Sequence, residues 1–184
     1  GPCRDACGIG GECFSRTKWE ENQPEGVIYA GKIAYSYKGD MPENTEITLK
    51  SGTKGIAEYA FYGRKNLTNI TIPDSVTWIG QEAFEDCTNL TSVTIPSSVT
   101  WIGQEAFEYC TSLTSITIPD SVTSIGYGAF EDCTSLTSIT ILDSVTSIGK
   151  YAFWNCDNLT IYGYENSYAQ EYALNNDIPF VAIA

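Results

Sequence analysis

Histidine is absent from the 184 residues, and Met41 is the one methionine. A Ser–His–Asp triad, a His-ligated metal and a His general base are therefore excluded before any motif is read. No apolar run approaches the roughly 20 residues that span a bilayer, so no transmembrane segment is expected. Bases are nearly missing from one part of the chain. Residues 66–184 contain a single base, Lys150, and fourteen acids, whereas residues 1–65 hold nine bases and nine acids and sum to zero. The net charge of −13 thus belongs to the second stretch. Such a surface repels phosphate backbones and anionic lipid, which argues against nucleic-acid binding. It would keep a regular, sticky fold in solution, and it would attract a basic partner or loosely held calcium. No acidic loop has EF-hand spacing, so calcium is not specifically indicated.

With 42% apolar residues the chain is too hydrophobic for a disordered segment and long enough for one repeat array. Seven cysteines would ordinarily raise disulfides, but the number is odd and the spacing decides. Cys87, Cys110, Cys133 and Cys156 stand 23 residues apart, and so do Ile56, Ile79, Ile102, Ile125 and Ile148. Phe61, Phe84, Phe107, Phe130 and Phe153 keep the same interval, as do Leu67, Leu90, Leu113, Leu136 and Leu159. Residues 79–101 and 102–124 differ at five of 23 positions. A fixed period of this length is the signature of a solenoid, whose single coil cannot bury its apolar edge alone.

Each coil reads as two short extended segments and a turn. Leu90–Ile95 alternates at its end and is stopped by Pro96, which places Val93 and Ile95 inward and Ser92 and Thr94 outward. Val99–Ile102 is the second segment, with Gly103 at the corner. Gln104–Cys110 is too short for a full helix and suits one helical or 3₁₀ turn. A column of cysteines among Phe and Leu suits small buried hydrophobes better than a zinc site, since zinc ligands gather in close pairs. All four are expected to be reduced, unmetallated and buried. Cys3, Cys7 and Cys13 differ: a Cys3–Cys7 bridge, a Cys7–Cys13 bridge and free thiols all remain open.

The consensus S-V-T-x-I-G-x-x-A-F-x-x-C-x-x-L-T-x-I-T-I-P closely resembles the BspA-like leucine-rich repeat family. The resemblance implies a right-handed leucine-rich repeat solenoid of parallel strands with helical or 3₁₀ turns, about six coils including a degenerate first one. Ile9–Phe14 fits the register of Ile79–Phe84, so 1–14 reads as a degenerate partial coil, 15–43 as an insertion, 44–159 as regular repeats and 160–184 as a C-terminal cap. Within the insertion, two alternating runs around Ala30-Gly31 predict a hairpin near 27–36. The cap is expected to be a helix from about Ser167, a fitting N-cap, to Asn175, then a strand through Phe180.

Candidate binding residues lie where the coils differ. One slot reads Trp78, Trp101, Ser124, Ser147, and the turn that follows varies through Tyr109, Tyr127, Tyr151 and Trp154. Trp78 and Trp101 should stand one above the other outside the core, either as an interface anchor or packed over neighbouring loops. The strand columns Asn69, Ser92, Ser115, Ser138 and Thr71, Thr94, Thr117, Thr140 could receive an extended protein or glycan, or be hydroxyl-rich filler. Four N-glycosylation patterns, at Asn66, Asn69, Asn89 and Asn158, fall where the repeat supplies Thr anyway. No catalytic, metal-binding or cofactor-binding residue is assigned.

The resemblance implies a non-catalytic adhesion or protein-recognition module of a bacterial cell-surface or secreted protein, binding a host matrix or receptor protein or a glycan. The near-identical coils favour an alternative, a spacer that positions other domains. Gly1-Pro2 reads as a cleavage scar, so an export signal is expected to have preceded it.

Overall fold

Ser92-Val93-Thr94 is apolar only at its centre, and extended chain sends that centre one way and its neighbours the other. In the computed structural model, which describes residues 18–183, this triplet is a strand with Val93 buried and both flanks exposed. The same pattern repeats down the chain and builds two ladders.

The elements are α1 (Lys18–Glu21), β1 (Gly26–Ala30), β2 (Ile33–Lys38), β3 (Thr45–Thr48), β4 (Gly55–Ile56), β5 (Leu67–Thr71), β6 (Trp78–Ile79) and β7 (Ser92–Thr94). They continue as β8 (Trp101–Ile102), β9 (Ser115–Thr117), β10 (Ser124–Ile125), β11 (Ser138–Thr140), β12 (Ser147–Ile148), β13 (Thr160–Gly163), α2 (Tyr168–Asn175) and β14 (Phe180–Ala182). Strands β2, β4, β6, β8, β10 and β12 form one long ladder with β1 at its edge. The other ladder is divided, β3-β5-β7 and then β9-β11-β13-β14. Every coil-to-coil pairing is parallel, as in Asn69↔Ser92 and Ile70↔Val93, so the solenoid expectation holds. The hairpin also forms, antiparallel between β1 and β2. Its second strand pairs in parallel with β4, so the insertion continues the solenoid instead of standing beside it. The degenerate coil 1–14 and the thiols of Cys3, Cys7 and Cys13 lie outside the described residues.

The core is made of columns. The Phe61, Phe84, Phe107 and Phe130 rings are fully buried, and successive rings stack nearly parallel at 5.1–5.4 Å through to Phe153. Each of the four column thiols donates to the Phe carbonyl 26 residues back, at 3.2 Å for Cys87 and 3.3 Å for Cys110. Burial pushes the Cys87 and Cys156 thiols up to about 12, which leaves almost no thiolate at neutral pH. Cys87, Cys110, Cys133 and Cys156 are free and buried, in keeping with the column reading.

Threonine recurs for a reason the alternation does not give. Thr91 Oγ1 donates to Thr68 O at 3.1 Å and Thr137 Oγ1 to Thr114 O at 3.2 Å, each adding a side-chain rung beside the backbone bond. The Thr of the Asn66 and Asn89 glycosylation patterns belongs to this column. Gly80, Gly103, Gly126 and Gly149 are also set by contact. A Cβ on Gly103 would lie 2.5 Å from the Gly80 carbonyl carbon, so the coils touch there backbone to backbone.

Both ends are covered. On one side Lys38 Nζ donates to the carbonyls of Glu21 (2.5 Å) and Gln23 (2.7 Å), closing α1, and Trp19 meets Tyr35 edge-on at 5.8 Å. On the other, Ser167 caps α2 by accepting from Gln170 N, as its sequence position indicated. Tyr172 then rests edge-on against Phe153 at 5.9 Å and ends the ring stack. Among the described residues no helix is long and apolar enough to cross a membrane.

Candidate functional site

The variable residues are displayed by the turn that follows each short strand of the long ladder. The turn holds two left-handed residues four apart: Glu82 (φ 51°) and Asp86 (φ 57°), Glu105 and Tyr109, Gly128 and Asp132, Tyr151 and Asn155. Such residues interrupt any helix after a single i→i+3 bond, as in Glu85 N→Glu82 O at 3.3 Å. Ala83, Phe84 and Cys87 enter the core while the remaining side chains project outward. Coil after coil, N–H groups of the turn donate to carbonyls of the next: Glu105 to Tyr127 O (2.8 Å), Phe107 to Ala129 O (2.8 Å), Tyr109 to Glu131 O (2.9 Å).

Six residues were singled out by sequence, and they occupy two regions. Trp78 and Trp101 are opposite each other in register on the long ladder. Trp101 is 40% exposed. Trp78 is half-buried, because its indole lies over Gly55, where a Cβ would stand 2.2 Å from Cε2. Tyr109, Tyr127, Tyr151 and Trp154 are on the turn edge. Tyr109 stands there alone, 43% exposed, whereas the other three are joined. Tyr127 meets Tyr151 edge-on at 5.6 Å, and Tyr151 meets Trp154 at 5.5 Å. Trp154 is 60% exposed, and Lys150 Nζ sits 4.5 Å above the Tyr151 ring.

This cluster borders a cavity of about 510 Å³ between the last coil and the cap. Asp157, Tyr172, Asn176 and Asp177 contribute to its wall, none of them singled out by sequence reasoning. The signal was present in the break of period after Leu159, where the next turn is missing.

The same edge carries a ladder of carboxylates. Glu82, Glu85 and Glu105 bring oxygens within 4.8 Å of one another, and so do Glu108, Glu131 and Asp132. Each trio is close enough to hold one divalent cation. Without one, like charges must share protons. Burial first, then a hydrogen bond and repulsion from Glu82, push the Glu85 carboxyl up to about 8. Burial and then Glu105 push Glu108 up to about 7, and Glu131 is raised by burial and by Asp132. In the unfolded chain these carboxyls return to about 4.5. The folded state therefore holds the extra protons, and their stabilisation is complete below pH 4.5 and lost as pH rises through 7 and 8. The thermal midpoint is expected to fall between about pH 5 and pH 9. A Glu85→Gln/Glu108→Gln variant should flatten that slope; an unchanged slope would mean other groups set it.

A solenoid of 23-residue coils, stacked on aromatic and aliphatic columns with a hydroxyl-rich strand face, is a leucine-rich repeat. Residues 31–160 match the BspA type leucine rich repeat region (6 copies), and the chain belongs to that family. It is similar to the T. pallidum leucine rich repeat protein TpLRR, 34% identical, with a TM-score of 0.67 over 71% of this chain and 62% of that one. A leucine-rich repeat protein from Eubacterium ventriosum is 29% identical, with a TM-score of 0.65 over 71% of this chain and 35% of that one. The pneumococcal vaccine antigen PcpA shares the fold at 17% identity, with a TM-score of 0.66 over 83% of this chain and 44% of that one. The chain thus spans less than two thirds of each of these three proteins. No curated protein matches it.

Proposed function

We propose that the chain is a non-catalytic protein-binding module of a bacterial cell-surface or secreted protein, and that it contacts its partner through its exposed aromatic residues. The observation that carries the reading is the joined set Tyr127, Tyr151 and Trp154, of which Tyr127 and Trp154 are exposed and Tyr151 and Trp154 line the cavity by the cap. Aromatic rings are the usual anchors of protein interfaces, and leaving an indole in water has no folding benefit. Tyr109, on the same edge, and Trp101, on the long ladder, are further exposed rings, and Trp78 pairs in register with Trp101. The raised carboxyls do not argue for catalysis, since burial against the coil and then the stacking of like charges from coil to coil account for them. The near-identity of residues 79–101 and 102–124 favours a second reading, a spacer for other domains.

The test compares Trp101→Ser with Tyr151→Ser/Trp154→Ser on surfaces of immobilised host matrix proteins. The second variant should keep its thermal midpoint and bind at least about tenfold more weakly, a loss of about 1.4 kcal/mol. Trp101→Ser, with Ser as the repeat itself uses at 124 and 147, should be stable and lose less. Binding that survives all three changes would sink the aromatic reading and leave the hydroxyl-rich strand face or the spacer role. Trp78→Ser is not a clean probe, because removing the indole uncovers Gly55 and lowers stability as well.

A further inference from the structure

The turn-to-turn ladder stops at residues 151–155. In the preceding coil Gly128, Phe130 and Asp132 donate to Lys150, Ala152 and Trp154 carbonyls at 3.1, 2.8 and 2.9 Å. Their counterparts Tyr151, Phe153 and Asn155 have no next coil. Phe153 is covered by the cap, where the Tyr172 ring meets its own edge-on at 5.9 Å. The N–H groups of Tyr151 and Asn155 donate to no acceptor among the described residues. Both residues line the cavity beside the cap.

We infer that this cavity receives a basic segment of a partner protein, which supplies to the last turn the carbonyls that the turn of a further coil would have supplied. The inference deepens the proposed protein-binding role and rests on it. Two free N–H groups with the spacing of a ladder call for two main-chain oxygens about four residues apart, as each regular coil provides. A carboxylate ligand is disfavoured, because Asp157 and Asp177 are in the wall, Asp132 stands next to Asn155, and Lys150 is the single base after residue 65. Neutral carbonyls with Lys or Arg side chains satisfy both demands. The aromatic mouth also suits a cation: Tyr151 already carries Lys150 Nζ on its face, and Trp154 offers a larger one.

The test uses amide-resolved nuclear magnetic resonance on the whole chain. Amide exchange with solvent at Tyr151 and Asn155 should be at least about tenfold faster than at Gly128 and Asp132, their hydrogen-bonded equivalents. Titration with acetylated, amidated Lys-Gly-Lys-Gly-Lys should shift the Tyr151 and Asn155 amides saturably, and added salt should weaken the effect. An Asp157→Asn/Asp177→Asn variant, which leaves the core untouched, should bind this peptide at least about tenfold more weakly. Slow exchange at both amides would overturn the inference and leave the aromatic reading standing. An equal shift from the Glu-Gly-Glu-Gly-Glu peptide or from chitotriose would overturn the basic-segment assignment. If the lysine peptide shifts the amides as expected and Tyr151→Ser/Trp154→Ser still binds matrix proteins, the site stands and the aromatic adhesion surface falls.

Discussion

Phe107→Ala is expected to remove about 4 kcal/mol of unfolding free energy, measured by chemical denaturation. The ring is fully buried and has a neighbour on each side, Phe84 at 5.1 Å and Phe130 at 5.3 Å. Truncation forfeits the transfer free energy, leaves a cavity in the middle of the column and breaks two ring contacts. The column cannot close over the gap, because the strands on either side are fixed at the ladder spacing. Phe153→Ala should cost less, since that ring is stacked on one side only and meets Tyr172 edge-on at the other. Combining Phe84→Ala with Phe107→Ala should cost less than the sum, because the second truncation breaks a contact already lost. Equal losses at 107 and 153 would show that stacking contributes nothing beyond burial.

Gly103→Ala, which adds one methyl group, should cost about 3 kcal/mol. The new Cβ would meet the Gly80 carbonyl carbon at 2.5 Å and Gln81 N at 2.6 Å. All the obstructing atoms are backbone, and the coils are held together beside them by Gly103 N→Ile79 O at 2.9 Å and Thr100 N→Thr77 O at 3.0 Å. Relief would require those bonds to lengthen. The thermal midpoint should drop by roughly 6–12 °C. Gly128→Asn is the contrasting case. Gly128 has φ 56°, but its column is occupied in other coils by Tyr59, Glu82, Glu105 and Tyr151 at similar angles. That change should cost no more than about 1 kcal/mol, which separates close approach from left-handed backbone as the reason for a glycine.

That contrast shows what the amino-acid sequence could and could not convey. Columns of Ile, Phe, Leu and Cys at one period dictate parallel coils, and the strand triplets, the hairpin and the Ser167 cap appear where alternation and capping chemistry placed them, while the closing strand, expected to run through Phe180, begins there and extends to Ala182. The sequence reading of Gly103 as a corner was incomplete. Its constraint comes from atoms of residues 80 and 81, a coil away. The Trp78–Gly55 contact escaped notice for the same reason, since neither residue belongs to the consensus. Tyr127, Tyr151 and Trp154 were legible as departures from the repeat, but their union was not: it depends on which rings lean together at one end. The unmatched Tyr151 and Asn155 amides are a property of where the stack stops. Periodicity describes what each coil shares and is silent about its last neighbour.

The constant offset of the pairings has a further result for the size of the molecule. Each coil meets its neighbours through bonds to residues 22 to 26 positions away, as in Ser98 to Val76, Thr100 to Thr77 and Cys110 to Phe84. Removing one whole period, such as residues 102–124, would bring 125 into the place of 102 and allow the rungs to rejoin. Insertion of a period would work in the same way. The distance between the hairpin end and the aromatic mouth is therefore adjustable in steps of about 4.8 Å, with both termini of the stack left as they are. Length becomes a quantity that can be altered by recombination between near-identical segments, without any new packing problem to solve.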